Sequence, residues 1–345
     1  MTWTFLLVAL IKVILICVVF ALVLGALLTW VERRMSALIQ DRLGPNRAQI
    51  GGVRAWGLLH PIADMLKAFT KEDFVPAGAN RAMFFLAPAL ALAPVLISFA
   101  VIPFGPGPWF TIAALDSGML FILAVGGFGI YGVALGGWAS NNNFGLLGAL
   151  RGAAQMISYE ITMGLNLVGV FAVFGTLSLS QMVLAQGELL WGWLPKWGVV
   201  VQPVGFLLFL VASMAENKRA PFDLPEGESE IIGYFAEFSS MRFATFFLTE
   251  FVEVVLISSI AATVFFGGWQ IPWVDPQGVA GGWMTLLQVG TFVGKVLILC
   301  WLQMLIRWTL PRFRYDQLMN LGWKILLPLS LANILVTAVV LAFIG

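Results

Sequence analysis

The sequence predicts an all-α integral membrane protein: eight transmembrane helices and one amphipathic helix lying in the membrane interface. Three observations lead there. The 345 residues are 60% hydrophobic and only 11% charged, against roughly 25% charged for an ordinary soluble domain. The mean hydropathy is +0.93. The charge-free stretches are long enough to cross a hydrocarbon core of ~30 Å, which takes about 20 helical residues. A water-soluble globule is excluded. The net charge of +1 gives no reason to expect a nucleic-acid partner.

The eight spans fall at roughly 3–31, 82–103, 116–138, 155–177, 197–215, 243–266, 284–306 and 320–343, and with their loops they make a single multi-pass membrane domain over 1–345. The first has no basic leader region and no small-residue cleavage site, and Arg33-Arg34 follow it as a stop-transfer pair, so it reads as a retained helix. After it, residues 54–70 (RAWGLLHPIADMLKAFT) place Trp56, Leu59, Ile62, Leu66 and Phe69 at helical spacing, with Asp64 and Lys67 off the stripe. That is the interfacial helix. The connectors Pro103–Pro108 and Gly267-Gly268 are built from turn formers.

Short cytoplasmic loops accumulate Lys and Arg. Here Arg33, Arg34, Arg42, Arg47, Arg54, Lys67, Lys71, Arg81, Arg151, Lys218, Arg219, Arg242, Arg307, Arg312 and Arg314 fall on one side, and the opposite loops hold only Lys196. With an even number of spans both termini lie outside, and loops 32–81 and 216–242 lie inside. The absence of a transit peptide and the chain length point to a bacterial inner membrane, with the termini on the periplasmic side.

Acidic residues stand where lipid forbids them. Glu250 and Glu253 lie ~12–16 Å into the sixth span at 1.5 Å per residue. A charge at a helix centre costs ~2.5–3.5 kcal/mol on insertion scales, so such groups face a bundle interior or a hydrated cavity and often mark proton routes. Glu160 begins the apolar part of the fourth span and Glu216 ends the fifth, which makes a file with Glu250, unless the outer two are boundary residues paired with Arg151 or Arg219. The loop 215–230, AENKRAPFDLPEGESE, crowds Glu216, Asp223, Glu226, Glu228 and Glu230 around Pro221 and Pro225. It reads as a stiff wall of coupled carboxylates between two membrane helices. Lone lysines interrupt two apolar helices: Lys12 can snorkel outward, whereas Lys295 needs an acid or a cavity.

No GxGxxG, Walker-type or CxxC pattern occurs, and Cys17, Cys300 and His60 cannot make a disulfide framework or a metal-ligand cluster. The chain itself therefore binds no redox cofactor, and any redox chemistry belongs to partners.

Residues 32–47 (ERRMSALIQDRLGPNR), 60–67 (HPIADMLK), 151–161 (RGAAQMISYEI), 215–230 and 307–328 (with PRFRYDQLM) together resemble one membrane-subunit family of proton-pumping NADH:quinone oxidoreductase, respiratory complex I: the H subunit in bacteria, subunit 1 in mitochondria. The likeness spans nearly the whole chain. It implies a subunit at the junction of membrane and peripheral arms, in contact with other membrane-arm subunits, the quinone-site and iron–sulfur subunits, and lipids. Quinone would be the substrate, with iron–sulfur clusters and flavin in the partners. It also implies that helices 2 to 6 look like an antiporter half-channel. Carried over residue by residue, the family's proton path falls on Glu160, Glu216, Glu226, Glu228 and Glu250, with Tyr159 beside Glu160. Quinone-tunnel positions fall on Arg33, Arg42, Asp64, Phe222 and Arg307, and also on Glu32. The chain departs from the family at His60, more usually Gln, and in the longer stretch from Ala48 to Leu59. Alternatives are the equivalent subunit of a membrane-bound hydrogenase or ferredoxin-linked complex, a free-standing proton/cation antiporter, and a passive anchor.

Overall fold

A computed structural model describes residues 3–225, 227, 231, 233–274 and 282–344. Its described residues are overwhelmingly helical, and seven helices are long and apolar enough to cross a membrane.

The first span consists of α1 (Trp3–Val13), a π-helical stretch Ile14–Leu22 and α2 (Val23–Ile39). It runs past the arginine pair expected to end it. Membrane edge and helix end are separate events here, because Glu32, Arg33 and Arg34 find polar partners on the last turns and gain nothing by leaving the helix. The interfacial helix α3 (His60–Thr70) is shorter than expected. A 3₁₀ turn, Ala55–Gly57, precedes it, with Trp56 at φ +56°, and Gly57, at φ +89°, lies so close to the Pro45 carbonyl that no side chain fits. Trp56 and Leu59 are thus off the helix. Ile62, Leu66 and Phe69 remain as an exposed apolar face, and α3 buries no residue.

The bundle continues with α4 (Arg81–Ser98), α5 (Gly118–Gly126), α6 (Gly129–Ala139) and α7 (Asn143–Phe174). The expected single helix 116–138 breaks at Gly127-Phe128. Helix α7 begins well before the expected 155, because Asn142 caps it by accepting from the Phe144 N–H at 2.9 Å. It ends at Gly175, in the left-handed region at φ +66°. Then come α8 (Leu179–Ala185) and a small hairpin of β1 (Leu189–Leu190) and β2 (Leu194–Pro195), which an all-α reading did not include.

The expected span 197–215 is broken. Helix α9 (Gly198–Val201) is separated from α10 (Pro203–Glu216) at Gln202, where Pro203 has no N–H to continue the ladder and opens a new helix instead. At 14 residues, α10 is about 21 Å long and falls short of a ~30 Å core on its own. The chain closes with α11 (Ser240–Phe265), α12 (Gly282–Thr309), α13 (Tyr315–Asn320), a π-helical stretch Leu321–Leu326 and α14 (Leu327–Ile344).

Helix α11 is the hub, buried from Phe246 to Phe265 except for a half-buried Glu253 and partly exposed Phe247 and Leu248. Lipid tails are as apolar as leucine, so helices in a bilayer associate through close packing of small residues. Gly132 on α6 meets Ala91 on α4, and Gly25 on α2 meets Val252 on α11.

Candidate functional site

The middle of α7, the C-terminal end of α10 and the middle of α11 bring the buried carboxylates together. Glu160, Glu216, Asn217 and Glu253 line one cavity of about 50 Å³, whose other walls are apolar side chains such as Met119, Ile122, Met156 and Leu256. That volume holds roughly three to five water molecules. One oxygen of Glu216, Oε2, is buried in it without a hydrogen-bond partner among the described residues. Asn217, with its amide nitrogen turned inward, donates to the Glu253 carboxylate at 2.8 Å and to the Glu250 carbonyl at 3.2 Å. Lys218 lies 3.6 Å from Glu253 and is itself buried. Glu253 therefore pairs with Lys218, and Lys295 with neither acid.

Glu250 sits one helical turn from Glu253, behind Asn217, on a second and more strongly charged node. Arg219 donates to Glu32 at 2.7 Å, approaches Glu250 at 3.9 Å and stacks on the Phe251 ring at 3.7 Å. Arg307 reaches the other oxygen of Glu32 at 2.8 Å. Arg219 is 6% exposed, yet its Nε and one terminal nitrogen have no hydrogen-bond partner among the described residues. Arg219 thus joins the first span to α11 through one guanidinium, and Arg307 of α12 meets the same node through Glu32. The ion pairs of Arg219 run to Glu32 and Glu250 and not to Glu216.

The loop after α10 is held by α7 and by the segment before α13. Gln155 donates to the carbonyls of Ala215 at 2.6 Å and Phe222 at 2.7 Å. Phe222 stacks on Phe313 with ring centroids 5.4 Å apart, and the Phe313 N–H donates to the Pro221 carbonyl at 3.0 Å. Asp223 accepts from Arg312 at 2.6 Å. Burial nevertheless pushes the Asp223 carboxyl above its ordinary range, with Arg312 pulling the other way.

The sequence-derived residues sort as follows. Glu160, Glu216 and Glu250 lie at adjoining sites. Tyr159 is fully buried beside Phe222, and its hydroxyl donates to the Leu318 carbonyl at 2.8 Å, so that proton is committed elsewhere than to Glu160. Arg33 and Asp64 form a 2.6 Å ion pair joining α2 to α3. Arg42 stands apart, on Gln40 and Ser36, and Arg307 joins the Glu32 node. Glu226, Glu228 and Glu230 lie outside the described residues. Asn217, Gln155 and the central place of Arg219 were not anticipated. Arg219 carried a signal, as a cation next to the acidic loop, but Gln155 carried none. Among the described residues no group of three or more His, Cys, Asp or Glu side chains could hold a metal ion.

The arrangement can do two things chemically. The cavity offers carboxylates and room for water, the requirements for handing protons along short distances. The Arg219 node gives a charge change near Glu32 or Arg307 a direct electrostatic route to Glu250.

Comparison with known proteins gives a consistent picture. The profile of the NADH dehydrogenase family matches residues 11–338. An NADH-quinone oxidoreductase H subunit of Geobacter metallireducens is 47% identical over 328 residues, covering 93% of this chain and 92% of that protein. An H subunit of the same enzyme from Cytophaga hutchinsonii is 44% identical over 336 residues, 94% and 95% of the two chains. The H subunit from Thermomicrobium roseum is 46% identical over 331 residues, 92% and 91%.

Proposed function

The chain belongs to the NADH dehydrogenase family, as a membrane subunit of NADH-quinone oxidoreductase of the H type, and from that premise we propose that its buried carboxylates couple quinone reduction to proton displacement. The enzyme is a proton-translocating oxidoreductase in which this subunit supplies no redox centre. The observation that carries the proposal is the placement of Glu160, Glu216 and Glu253 around a single cavity, with Glu250 one helical turn from Glu253 and its backbone carbonyl bonded to the same Asn217.

In this reading the bundle spans the membrane eight times, α9 and α10 together making the eighth crossing. Helices 2 to 6 serve as a half-channel, the loops rich in arginine face the cytoplasm, and both termini face the periplasm. Quinone occupies a tunnel bordered by Arg33, Arg42, Asp64, Phe222 and Arg307, between this chain and the peripheral quinone-site and iron–sulfur subunits. Partner subunits carry the clusters and the flavin. Reduction of quinone changes the charge near Glu32 and Arg307. Arg219 carries that change to Glu250, and the loop carboxylates, Glu226 and Glu228 included, carry it to Glu216. Protons then redistribute over Glu216, Glu160 and Glu250.

Moving one charge against 100 mV takes ~2.3 kcal/mol. That is comparable to the ~4 kcal/mol of a unit-charge interaction at 4 Å in an effective dielectric near 20, so a single rearranged ion pair supplies the right scale. The test is Glu216→Ala in the assembled complex. NADH oxidation by ferricyanide stays intact, while quinone reduction and pumping fall together. Wild-type quinone-linked turnover in the variant removes Glu216 from the mechanism.

A further inference from the structure

One more ionisable group within the spans is left unused by the acidic file. Lys295, midway along α12, donates all three ammonium protons to backbone carbonyls: Phe266 at 2.7 Å, Gly268 at 2.9 Å and Gln270 at 2.8 Å. The Trp197 ring lies 4.7 Å away on another side. Among the described residues no carboxylate pairs with it.

The carbonyls belong to the turn that ends α11, and the turn is shaped around the ammonium. Gly267 and Gly268 take positive φ values of +69° and +53°, and a Cβ would come within 2.7 Å of Trp197 at the first and of Val183 at the second. Gln186 fixes the same turn, accepting from the Gly267 N–H at 2.9 Å and the Gly198 N–H at 3.0 Å while donating to the Thr263 carbonyl at 2.9 Å. A caged ammonium is the structural equivalent of a bound monovalent cation that cannot leave.

Its position gives it a role. On one side is a pocket of about 340 Å³ at the end of the bundle remote from the basic loops, and two of its lining residues, Trp197 and Gln270, hold Lys295. On the other side α11 continues through Thr263, Ser259 and Ser258 to Glu253. Ser259 and Thr263 donate to carbonyls one turn back, and Ser258 is met by Cys300 and Gln303. Lys295 is the fixed charge between the pocket and the carboxylates.

We propose that Lys295 is an electrostatic plug, a tethered cation that keeps protons and other cations from passing between the outward pocket and the file of Glu253, Glu250 and Glu216. A positive charge held at a constriction excludes cations in this way in membrane pores. The proposal deepens the proton-displacement reading and rests on it, including the assignment of this end as the outer one.

The experiment uses the whole complex in sealed proteoliposomes, with Lys295→Gln, Lys295→Met and Lys295→Arg. Passive proton influx under an imposed diffusion potential is measured without NADH, and quinone reduction is measured separately. One unit charge acting at ~10 Å through an effective dielectric of ~20 changes a passing proton's population roughly tenfold. Gln and Met should therefore leak about tenfold faster, with quinone reduction retained, and Arg should stay tight. Gln supplies two N–H donors in place of three and carries no charge, so a leak in Gln but not Arg is the result expected of a charge barrier. Lys295→Ala with methylammonium, which refills the carbonyl cage, should regain tightness and covers the case in which Gln or Met does not assemble. Wild-type tightness in Gln and Met, equal leakage in Arg and Gln, or no methylammonium effect in a leaking Ala variant overturns the plug. Glu216→Gln run in parallel separates the two ideas. If it pumps normally the file itself fails, whereas lost pumping there together with a tight Lys295→Gln sinks only the plug.

Discussion

Arg219 is the side chain through which the Glu32–Arg307 pair and Glu250 act on each other, and Arg219→Gln tests that directly. The bond to be lost is a 2.7 Å contact between groups only 6% and 13% exposed. Hydrogen bonds between charged groups contribute about 1.5–3 kcal/mol, and at 1.4 kcal/mol per factor of ten that is roughly a ten- to hundredfold effect. Arg307 still holds the other oxygen of Glu32 at 2.8 Å, so the lower end is expected, about tenfold in the population of the bridged arrangement and, where coupling needs that arrangement, in quinone-linked turnover. Arg219→Lys keeps the charge and loses the fork that reaches both acids and the stack on Phe251, and should fall between wild type and Gln. The assay is a cycle of Arg219→Gln, Glu32→Gln and the double variant, with turnover scored only in preparations that native gels show to be assembled. Residues acting as a unit are non-additive, so the double variant should be no slower than the worse single. If the two losses multiply, the pair does not act as one device. If Arg219→Gln turns over like wild type, the route from Glu32 to Glu250 is refuted.

Two further outcomes follow from the packing and from the loop. Gly132→Leu places a side chain where a Cβ already comes within 2.5 Å of the Ala91 backbone nitrogen and should abolish assembly, read on native gels, whereas Gly290→Leu, with nothing within 4 Å, should assemble. The Asp223 carboxyl is held above its ordinary range by burial, so folding favours its neutral form. Its contribution to stability is fully present below the ordinary value of 3.8 and is lost as pH rises through the raised one. Thermal inactivation followed from about pH 4 upward should therefore be less pH-dependent in Asp223→Asn.

The spans were legible because lipid imposes one solution, a long apolar helix, and composition reveals it. Their ends were not. Nothing in Arg33-Arg34 says that α2 continues to Ile39, since that depends on partners such as Asp64 and Arg219, far away in the chain. The break at Gln202 could have been read from Pro203, but the apolar run on both sides outweighed it. In the site, the carboxylates were visible as charges where charges are costly. Their grouping into a file followed from those positions, but that Glu253 shares the cavity with Glu160 and Glu216 did not, because Asn217 and Gln155 are neutral amides whose role exists only in the geometry. Lys295 was seen as a cation in need of an acid or a cavity and was instead satisfied by three carbonyls of a glycine turn, a solution that sequence spacing does not encode.

Buried carboxylates that change protonation when quinone is reduced must change their C=O stretching bands with it. Infrared difference spectroscopy of the purified complex, recorded on quinone reduction, measures that change most directly. A carboxylic-acid band change is expected in the wild-type complex, diminished in Glu216→Gln. A difference spectrum in the carboxyl region unaltered by Glu216→Gln, Glu160→Gln and Glu250→Gln would contradict the proposed change in protonation.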